Sequence, residues 1–325
     1  MVLQSIGNKI SFSNIKAEFN PTGTGLIKLS HYYANASTNY TNGITDIPNI
    51  GEPIKLSQFY GKSSLPIITI NNVTSSWNSE NSIIVYTFSD TTNNNVITFT
   101  KKTYCEILLV GGGSGTTDPD YDSYISDGGG SGGGIYYDPK FEFLPGTYKI
   151  IIGKAGTNHV RDRSYAYGGD TYITSNNVLY GTYKGIGGIP GPNDVASGGG
   201  PTYTYIATIN ADTSKTVNLY TYYGKNATYY LFNPATSFYH TFSGGGSGAG
   251  GSAALGEFDV NGGSGYISNI TGSSVAYAGG GRGAAHRLNI YGAPGNGATN
   301  FGGGGSHYPD FLDPVKGCAI IKLLI

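Results

Sequence analysis

Glycine constrains the fold of this chain more than any other residue type, because it returns in clusters through the sequence. A short apolar run, Cys105 to Val110, precedes the first cluster, and a second apolar run, Cys318 to Ile325, follows the last. Glycine runs disfavour α-helix and carry no side chains for a pleated core. We therefore predict two β-strands, one on either side of a glycine-rich region that we name the glycine body. The clusters lie at 111–134, 185–200, 244–265 and 279–305.

Glycine runs can form extended threads of the polyproline-II type, with three residues per turn and backbone amides free to bond sideways. Several such threads can pack as a bundle because no side chain separates them. Collagen is excluded, since there is no strict Gly-X-Y register and only 14 prolines occur. A flexible glycine-serine linker is the alternative, but linkers do not usually carry embedded Ile, Tyr and Phe. The sequence predicts an all-β fold, a β-sandwich or shell that encloses polyglycine-II-like threads.

Composition excludes several classes of partner. Charged residues make up 12 % of the chain and the formal net charge is −1, so a nucleic-acid footprint or an anionic-membrane patch is not expected. No stretch reaches the ~20 apolar residues of a membrane span, and residues 1–14 contain no apolar signal core. We expect the protein to be made in the cytoplasm and not to use a standard signal peptide.

The two cysteines are too few for a disulfide framework or a zinc cluster. Cys105 and Cys318 each stand at the start of one apolar run. We predict two buried, reduced thiols, because free cysteine is commonly buried. If the two runs are neighbouring strands, the thiols could be close to each other.

The chain divides into two predicted regions. Residues 1–65 hold repeated units, of which the last two read Ile-Lys-Leu-Ser-x-[Tyr/Phe]-Tyr, too short to bury a core singly, so we expect them to serve attachment or assembly. Residues 66–325 form the glycine-rich β-domain: a sheet at 66–110, the glycine body at 111–317 and a closing strand at 318–325. The predicted assembly residues are Ile27, Leu29, Tyr32, Tyr33, Ile54, Leu56, Phe59 and Tyr60.

Within the second region, β-branched and aromatic runs predict individual strands. Ser82 to Phe88 and Val96 to Thr100, joined through a turn at 91–95, are expected to form a small antiparallel sheet with Cys105 to Val110. Further predicted elements are a strand at 146–153, a hairpin of 171–173 with 178–183, and a projecting, aromatic β-excursion at 201–240.

Three segments together resemble a known family. Ile107 to Gly113, Leu144 to Gly153 and Gly317 to Lys322, with glycine clusters between them, look like the glycine-rich domain of viral tail-fibre and tail-tip adhesin proteins. The resemblance covers about 80–325 and implies a β-shell around polyglycine-II threads, with loops at the far end that bind a host surface. The N-terminal units also look like short repeats in marine phage structural proteins. The excursion at 201–240 departs from the family pattern.

Some stretches match the sequence motifs of enzymes and metal sites but lack the predicted structural context that these motifs require. The glycines after Val110 lack the following helix that a dinucleotide site needs, and Gly-x-Ser-x-Gly at 129–133 has no strand–helix context. The five histidines show no ligand spacing. Four aspartates between 118 and 127 would suit calcium if their oxygens converged, although solvated loop carboxylates are the simpler interpretation. We expect no enzyme activity, no cofactor and no metal.

The sequence as a whole predicts a virion structural protein, a fibre or tail-tip adhesin that binds a host-surface glycan or protein and contacts other virion proteins and copies of itself. The alternative is a self-assembling subunit, a capsid decoration or filament, in which the tyrosines cover threads or fill subunit contacts. Tyrosine suits recognition because it gives contact area at low rotamer cost. The candidate receptor residues are Tyr121, Tyr124, Arg161, Arg163, Tyr165, Tyr167, Tyr203, Tyr205, Tyr222, Tyr223, Tyr229, Tyr230, Arg282, His286, Arg287 and Tyr308.

Overall fold

The chain divides into two units, residues 1–67 with Ile325, and residues 68–324. The computed structural model describes only parts of the second unit. The predicted N-terminal repeats and assembly residues, from Ile27 to Tyr60, therefore lie outside the described residues. The described ranges are 68–71, 74–78, 83–92, 94–116, 128–158, 163–175, 178–179, 184–190, 199, 201–210, 214–223, 228–233, 238–242, 246–253, 261–285, 290–306 and 312–324.

The described residues form an all-β structure, as predicted, with one short 3-10 turn at Arg163–Tyr165. None of the helical residues that the structure describes belongs to a segment long and apolar enough to cross a membrane. The strands are β1 Ile68–Asn71, β2 Thr74–Asn78, β3 Ile83–Phe88, β4 Asn95–Phe99, β5 Thr103–Val110, β6 Ile135–Phe143, β7 Gly146–Ile151, β8 Tyr172–Ser175, β9 Val178–Leu179, β10 Thr202–Ile209, β11 Lys215–Tyr222, β12 Thr228–Asn233, β13 Phe238–Phe242, β14 Tyr266–Ser268, β15 Val275–Tyr277, β16 Ala284–Ala285, β17 Ile290–Tyr291 and β18 Cys318–Leu323.

Two sheets dominate the fold. One has five strands in the order β1-β4-β7-β8-β9, and the other has seven in the order β11-β10-β6-β5-β18-β3-β2. The two apolar runs of the sequence are antiparallel neighbours at the centre of the larger sheet, where β18 pairs with β5 from Cys318↔Val110 to Leu323↔Cys105. The strand predicted at 146–153 and the hairpin of β8 with β9 are also confirmed.

The small sheet predicted from 82–88, 96–100 and 105–110 is wrong in its pairing. β3 lies beside β18 in the larger sheet, whereas β4 pairs with β1 and β7 in the smaller one. The chain therefore crosses from one sheet to the other between the two strands instead of turning back in a hairpin. The crossing lets Phe88 and Phe99 reach one core from opposite sheets.

The first hydrophobic core lies between the two sheets. Phe88, Phe99 and Phe143 are almost completely buried there, and the rings of Phe99 and Phe143 stack with centroids 4.5 Å apart. Each of these side chains contributes about 1.5–3 kcal/mol through the removal of apolar surface from water. Since every second residue of β4 is buried, its alternating pattern matches a strand with one face on this core.

A second core covers the other face of the seven-stranded sheet. Leu108 and Ile320 on the sheet pack with Ala249, Ile270 and Tyr277, which belong to the glycine body and its hairpins. Burial on both faces explains why the second half of β5, from Ile107 to Val110, and nearly all of β18 are buried without alternation. The glycine body is therefore fixed to the sheet by ordinary side-chain packing.

Both cysteines are buried free thiols, as predicted. Because β5 and β18 are antiparallel, the start of one strand lies at the end of the other, and Cys105 faces Leu323 while Cys318 faces Val110. Cys105 belongs to the first core and Cys318 to the second. Burial raises the pKa of both thiols, so they stay protonated at neutral pH.

Candidate binding site at the loop end of the glycine body

The segment 111–116, named thread 1, continues from β5 and donates its amides with a period of three. Gly111 and Ser114 donate to Gly134 and Ser131 of the segment 128–134, each at 2.9 Å. A β-strand would send every second amide toward one partner, whereas thread 1 sends every third. This is the pattern of a helix with three residues per turn, like polyproline II.

The other amides of thread 1 donate to different neighbours. Gly112 donates to Gly169 at 2.9 Å, and Gly115, three residues later, donates to Ala166 at 2.8 Å. Gly113 donates to Val315 at 2.9 Å. Thread 1 therefore has donor contacts in three directions.

Its carbonyl groups face three further segments. The oxygens of thread residues 112, 113 and 114 accept from Gly188 at 2.7 Å, Gly156 at 2.9 Å and Gly305 at 2.9 Å. Thread 1 is thus surrounded by six chain segments that its own backbone bonds to. A bundle of polyglycine-II-like threads is therefore the structure of the body, in agreement with the sequence prediction.

Close backbone approach explains the glycine content of the threads. A methyl group on Gly112 would overlap the carbonyl oxygen of Lys154, and one on Gly133 would overlap the oxygen of Gly111. Neither glycine has a positive φ. The requirement at these positions is space, not an unusual backbone conformation.

The described unit has two opposite ends along the thread direction. At the sheet end, Ile68 of β1 lies opposite Phe99 of β4, so the chain enters the unit there. At the other end, which we name the loop end, thread 1 reaches Thr116. From Thr103 at the start of β5 to Thr116 the chain spans about 40 Å, since strands rise ~3.3 Å and threads ~3.1 Å per residue.

Asn158 connects separate segments at the loop end. The backbone amide of Thr116 donates to Asn158 Oδ1 at 3.1 Å, and Asn158 Nδ2 donates to the carbonyl oxygen of Leu312 at 2.8 Å. The nearest atoms to a methyl group built on Gly305 all belong to the Asn158 amide. One side chain therefore joins the ends of three thread-connecting segments.

Two further contacts extend this junction. Ser306 and Leu312 form an antiparallel bridge, with amide-to-carbonyl distances of 2.8 and 3.1 Å. The amide of Arg282 donates to Ser306 Oγ at 3.0 Å. Residues from four separate parts of the chain, Thr116, Asn158, Arg282 and the Ser306–Leu312 bridge, are therefore linked by hydrogen bonds.

Two predicted receptor residues, Tyr165 and Tyr167, are displayed at this end. They are 66 % and 44 % exposed, while Ala166 between them is completely buried. Gly115 donates to the Ala166 oxygen at 2.8 Å, and Thr157 donates to the Tyr165 oxygen at 2.8 Å. The backbone is thus fixed by the bundle, and both rings face solvent.

Arg282, a third predicted residue of this end, is partly buried. Its Nη1 lies 3.5 Å from the Gly292 oxygen, at the base of the β16–β17 hairpin. Its guanidinium therefore contacts the backbone at the base of that hairpin. Predicted residues whose side chains lie outside the described part are Tyr121, Tyr124, Arg161, Arg163, Tyr229, Tyr230, His286, Arg287 and Tyr308.

The remaining predicted tyrosines lie on or directly after the β10–β11 hairpin, which extends the edge of the seven-stranded sheet. Tyr203, Tyr205 and Tyr222 are partly buried, and Tyr205 packs against the first core. Only Tyr223 is well exposed among these four, at 60 %. The structure therefore does not bring these tyrosines together with Tyr165.

Chemically, the loop end offers aromatic rings and backbone polar groups on a fixed frame. Within the described residues, no group of three metal-ligating side chains comes together. Sequence reasoning missed Asn158, Ser306 and Leu312. The one available signal was that Asn158 is a polar residue a few positions after the strand predicted at 146–153, which is too common to mark a site.

One known protein family matches most of this chain. The model of the glycine-rich domain family matches residues 89–315, well over half of the 325-residue chain. No curated protein matches the sequence. The match spans β4 through the loop that precedes β18, and so includes every thread contact described above. The chain therefore belongs to the glycine-rich domain family.

Proposed function

We propose that this protein is a virion structural protein, a fibre or tail-tip adhesin whose loop end binds a host-surface receptor. The observation that carries the proposal is the polarity of the described unit. The chain enters at Ile68 on the sheet end, and the bonded loop ends around Asn158 lie at the opposite end. Such a unit can be attached to a virion on one side and present loops on the other.

The glycine body suits presentation because it is rigid without a side-chain core. Backbone groups that are fully hydrogen-bonded inside a bundle leave few alternatives for the chain. Residues fixed in this way can display aromatic rings at low entropic cost on binding, as Tyr165 and Tyr167 do. Other virion proteins and further copies of the chain are the expected partners at the sheet end.

A binding screen tests the proposal. Purified protein is applied to an array of cell-surface glycans and to a panel of intact cells, and bound protein is quantified. For any receptor found, we expect Tyr165→Ala with Tyr167→Ala to weaken binding at least about tenfold, since exposed aromatic anchors dominate such contacts. Both rings are exposed, so folding is expected to survive.

Tyr223→Ala is the matched control. It removes a tyrosine of similar exposure that directly follows β11, where its backbone is bonded to Ser252 and Ala253 and not to the residues around Asn158. We expect its binding to stay within about twofold of the unchanged protein, as for peripheral positions. Equal losses for both variants would contradict recognition at the loop end, and so would the absence of any loss in the double variant.

Self-assembly is the second candidate, and the edge strand β11 favours it. β11 pairs with β10 on one side and has no partner strand on the other among the described residues. Leu219 and Tyr220 on this strand are 52 % and 44 % exposed. Exposed edges of this kind can pair with another chain.

Electron microscopy of negatively stained protein over a concentration series separates the two candidates. A discrete monomer or small oligomer at all concentrations is the result expected for an adhesin. Long, regular filaments that grow with concentration would overturn the adhesin proposal in favour of the self-assembling subunit.

A further inference from the structure

We infer that Asn158 is the positioning residue of the loop end, where one amide side chain sets the relative placement of three segments. Its two hydrogen bonds join the end of thread 1 at Thr116 to the closing segment at Leu312. Asn158 itself lies in the segment that follows β7. Its importance for receptor binding rests on the proposed function, but its effect on the segments does not.

The two bonds use both functions of the amide. Oδ1 accepts from the Thr116 amide, and Nδ2 donates to the Leu312 oxygen. No other natural side chain of this length supplies an acceptor and a donor in the same plane. The Leu312 oxygen also accepts from the Ser306 amide at 2.8 Å, so the Asn158 bond reinforces an existing bridge.

Gly305 gives independent support. A methyl group at this position would overlap Asn158 Oδ1, and the three nearest atoms are all part of the Asn158 amide. The absence of a side chain at Gly305 therefore leaves the room that the amide occupies. Alanine at Gly305 would displace the amide without touching any other group as closely.

Hydrogen exchange measured by NMR tests the inference in the full-length protein. In Asn158→Ala we expect the Thr116, Ser306 and Leu312 amides to exchange about five- to tenfold faster, the change that the loss of one hydrogen bond produces. Asn158→Asp keeps the acceptor and loses the donor. It should therefore leave Thr116 protected and accelerate only Ser306 and Leu312.

Asn300→Ala is the matched control. Its side chain also donates one bond from a partly buried environment, to the Ala276 oxygen at 2.8 Å, but near the sheet. We expect no change at Thr116 or Leu312 in this variant. Unchanged exchange at both amides in Asn158→Ala would overturn the inference, as would the same exchange pattern in the aspartate and alanine variants.

A double variant adds a second test. Gly305→Ala alone should accelerate exchange at Thr116 and Leu312, because the methyl group displaces the amide. In the Asn158→Ala background the same methyl group has room. The Thr116 and Leu312 amides of the double variant should therefore exchange no faster than those of Asn158→Ala. If the two substitutions accelerated exchange additively, the role assigned to the Asn158 amide would be overturned.

Receptor binding gives the final readout. Once a receptor is known, Asn158→Ala should weaken binding at least about fivefold, with Asn300→Ala unchanged. If Asn158→Ala accelerated exchange as expected but left receptor binding unchanged, the role of Asn158 in recognition would be overturned, whereas its effect on the segments would stand. The absence of any receptor for the unchanged protein would count against the proposed function, while the exchange measurements would still decide the structural part.

Discussion

A methyl group is too large for many positions in the glycine body, and the consequence differs from one glycine to another. At Gly112 the added carbon would overlap the Lys154 carbonyl oxygen, which belongs to a backbone held on several sides. At Gly272 the surroundings are open, but φ is +88°. The first position forbids a side chain by space, and the second disfavours one by conformation.

Gly112→Ala and Gly272→Ala therefore make a matched pair. We expect Gly272→Ala to lower the free energy of unfolding by about 1–2 kcal/mol, the cost of a left-handed backbone for an L-residue. Gly112→Ala should cost more than about 3 kcal/mol, since overpacking against a fixed backbone has no easy relief. Chemical denaturation of both variants measures the difference, and equal costs would contradict the close packing of thread 1.

At the scale of single residues, the sequence predicted the close packing of the glycines but not the role of Asn158, which links separate segments at the loop end. Glycine clusters predict close backbone approach because glycine has no other use in such numbers. Asn158 carries no comparable mark, since its role depends on Thr116 and Leu312, which are 42 and 154 residues away. A single asparagine cannot indicate contacts over such distances along the chain.

Among the structural elements, the β10–β11 hairpin is joined to β6 by an ion pair between the partly exposed Lys215 and a buried carboxylate. Asp138 on β6 is completely buried, and its Oδ2 lies 2.6 Å from Lys215 Nζ at the start of β11. Tyr136 Oη and the Lys140 amide donate to the same carboxylate at 3.1 and 2.9 Å. The hairpin is thereby fixed to the sheet beyond the short parallel pairing of β10 with β6.

Lys215→Met should lower the free energy of unfolding by about 2–3 kcal/mol, because it leaves a buried carboxylate without its cation. Lys102→Met is the control, since Lys102 and Glu142 form a solvent-exposed pair at 3.0 Å, and exposed pairs contribute little to stability. Thermal unfolding followed by circular dichroism compares the two. A loss for Lys215→Met no larger than for the control would show that the ion pair does not hold the hairpin.

Most strands could be predicted from the sequence, but their partners could not. β5, β7 and β18 follow from apolar and β-branched runs that end in glycine or begin after a turn. The separation of β3 from β4 depends on which face each strand buries, and this is decided by packing between sheets. One feature of the sequence could have predicted a pairing. β5 and β18 each carry one charge of opposite sign, and antiparallel pairing places Glu106 Oε2 2.9 Å from Lys322 Nζ.

For the molecule as a whole, the second core joins the glycine body to the seven-stranded sheet, and two tyrosines there respond to alkaline pH. Burial, followed by the nearby Glu106 and Tyr222, raises the pKa of Tyr266 to about 12. Burial, followed by Cys318, raises the pKa of Tyr277 to about 12. Both hydroxyls are therefore favoured in their protonated form when the protein is folded.

Because both folded-state pKa values exceed the ordinary value of 10.0, the stabilising contribution is complete below pH 10 and is lost as pH rises toward 12. We expect alkaline unfolding in this window, monitored by tyrosinate absorbance and circular dichroism. Tyr277→Phe removes one titrating hydroxyl and should make stability less dependent on pH between 10 and 12. An unchanged slope would contradict the coupling of Tyr277 ionisation to unfolding.

The glycine body also determines how the stability of the molecule changes with temperature. Exposing apolar surface on unfolding raises the heat capacity, whereas exposing polar backbone lowers it. The threads bury hydrogen-bonded peptide groups where most domains bury hydrocarbon, as the six backbone-bonded neighbours of thread 1 illustrate. We therefore expect unfolding of this molecule to carry a smaller heat-capacity increment per residue than unfolding of a sandwich of side chains alone, a difference that scanning calorimetry measures. Its stability curve is correspondingly flatter, so the fold loses little stability when cooled.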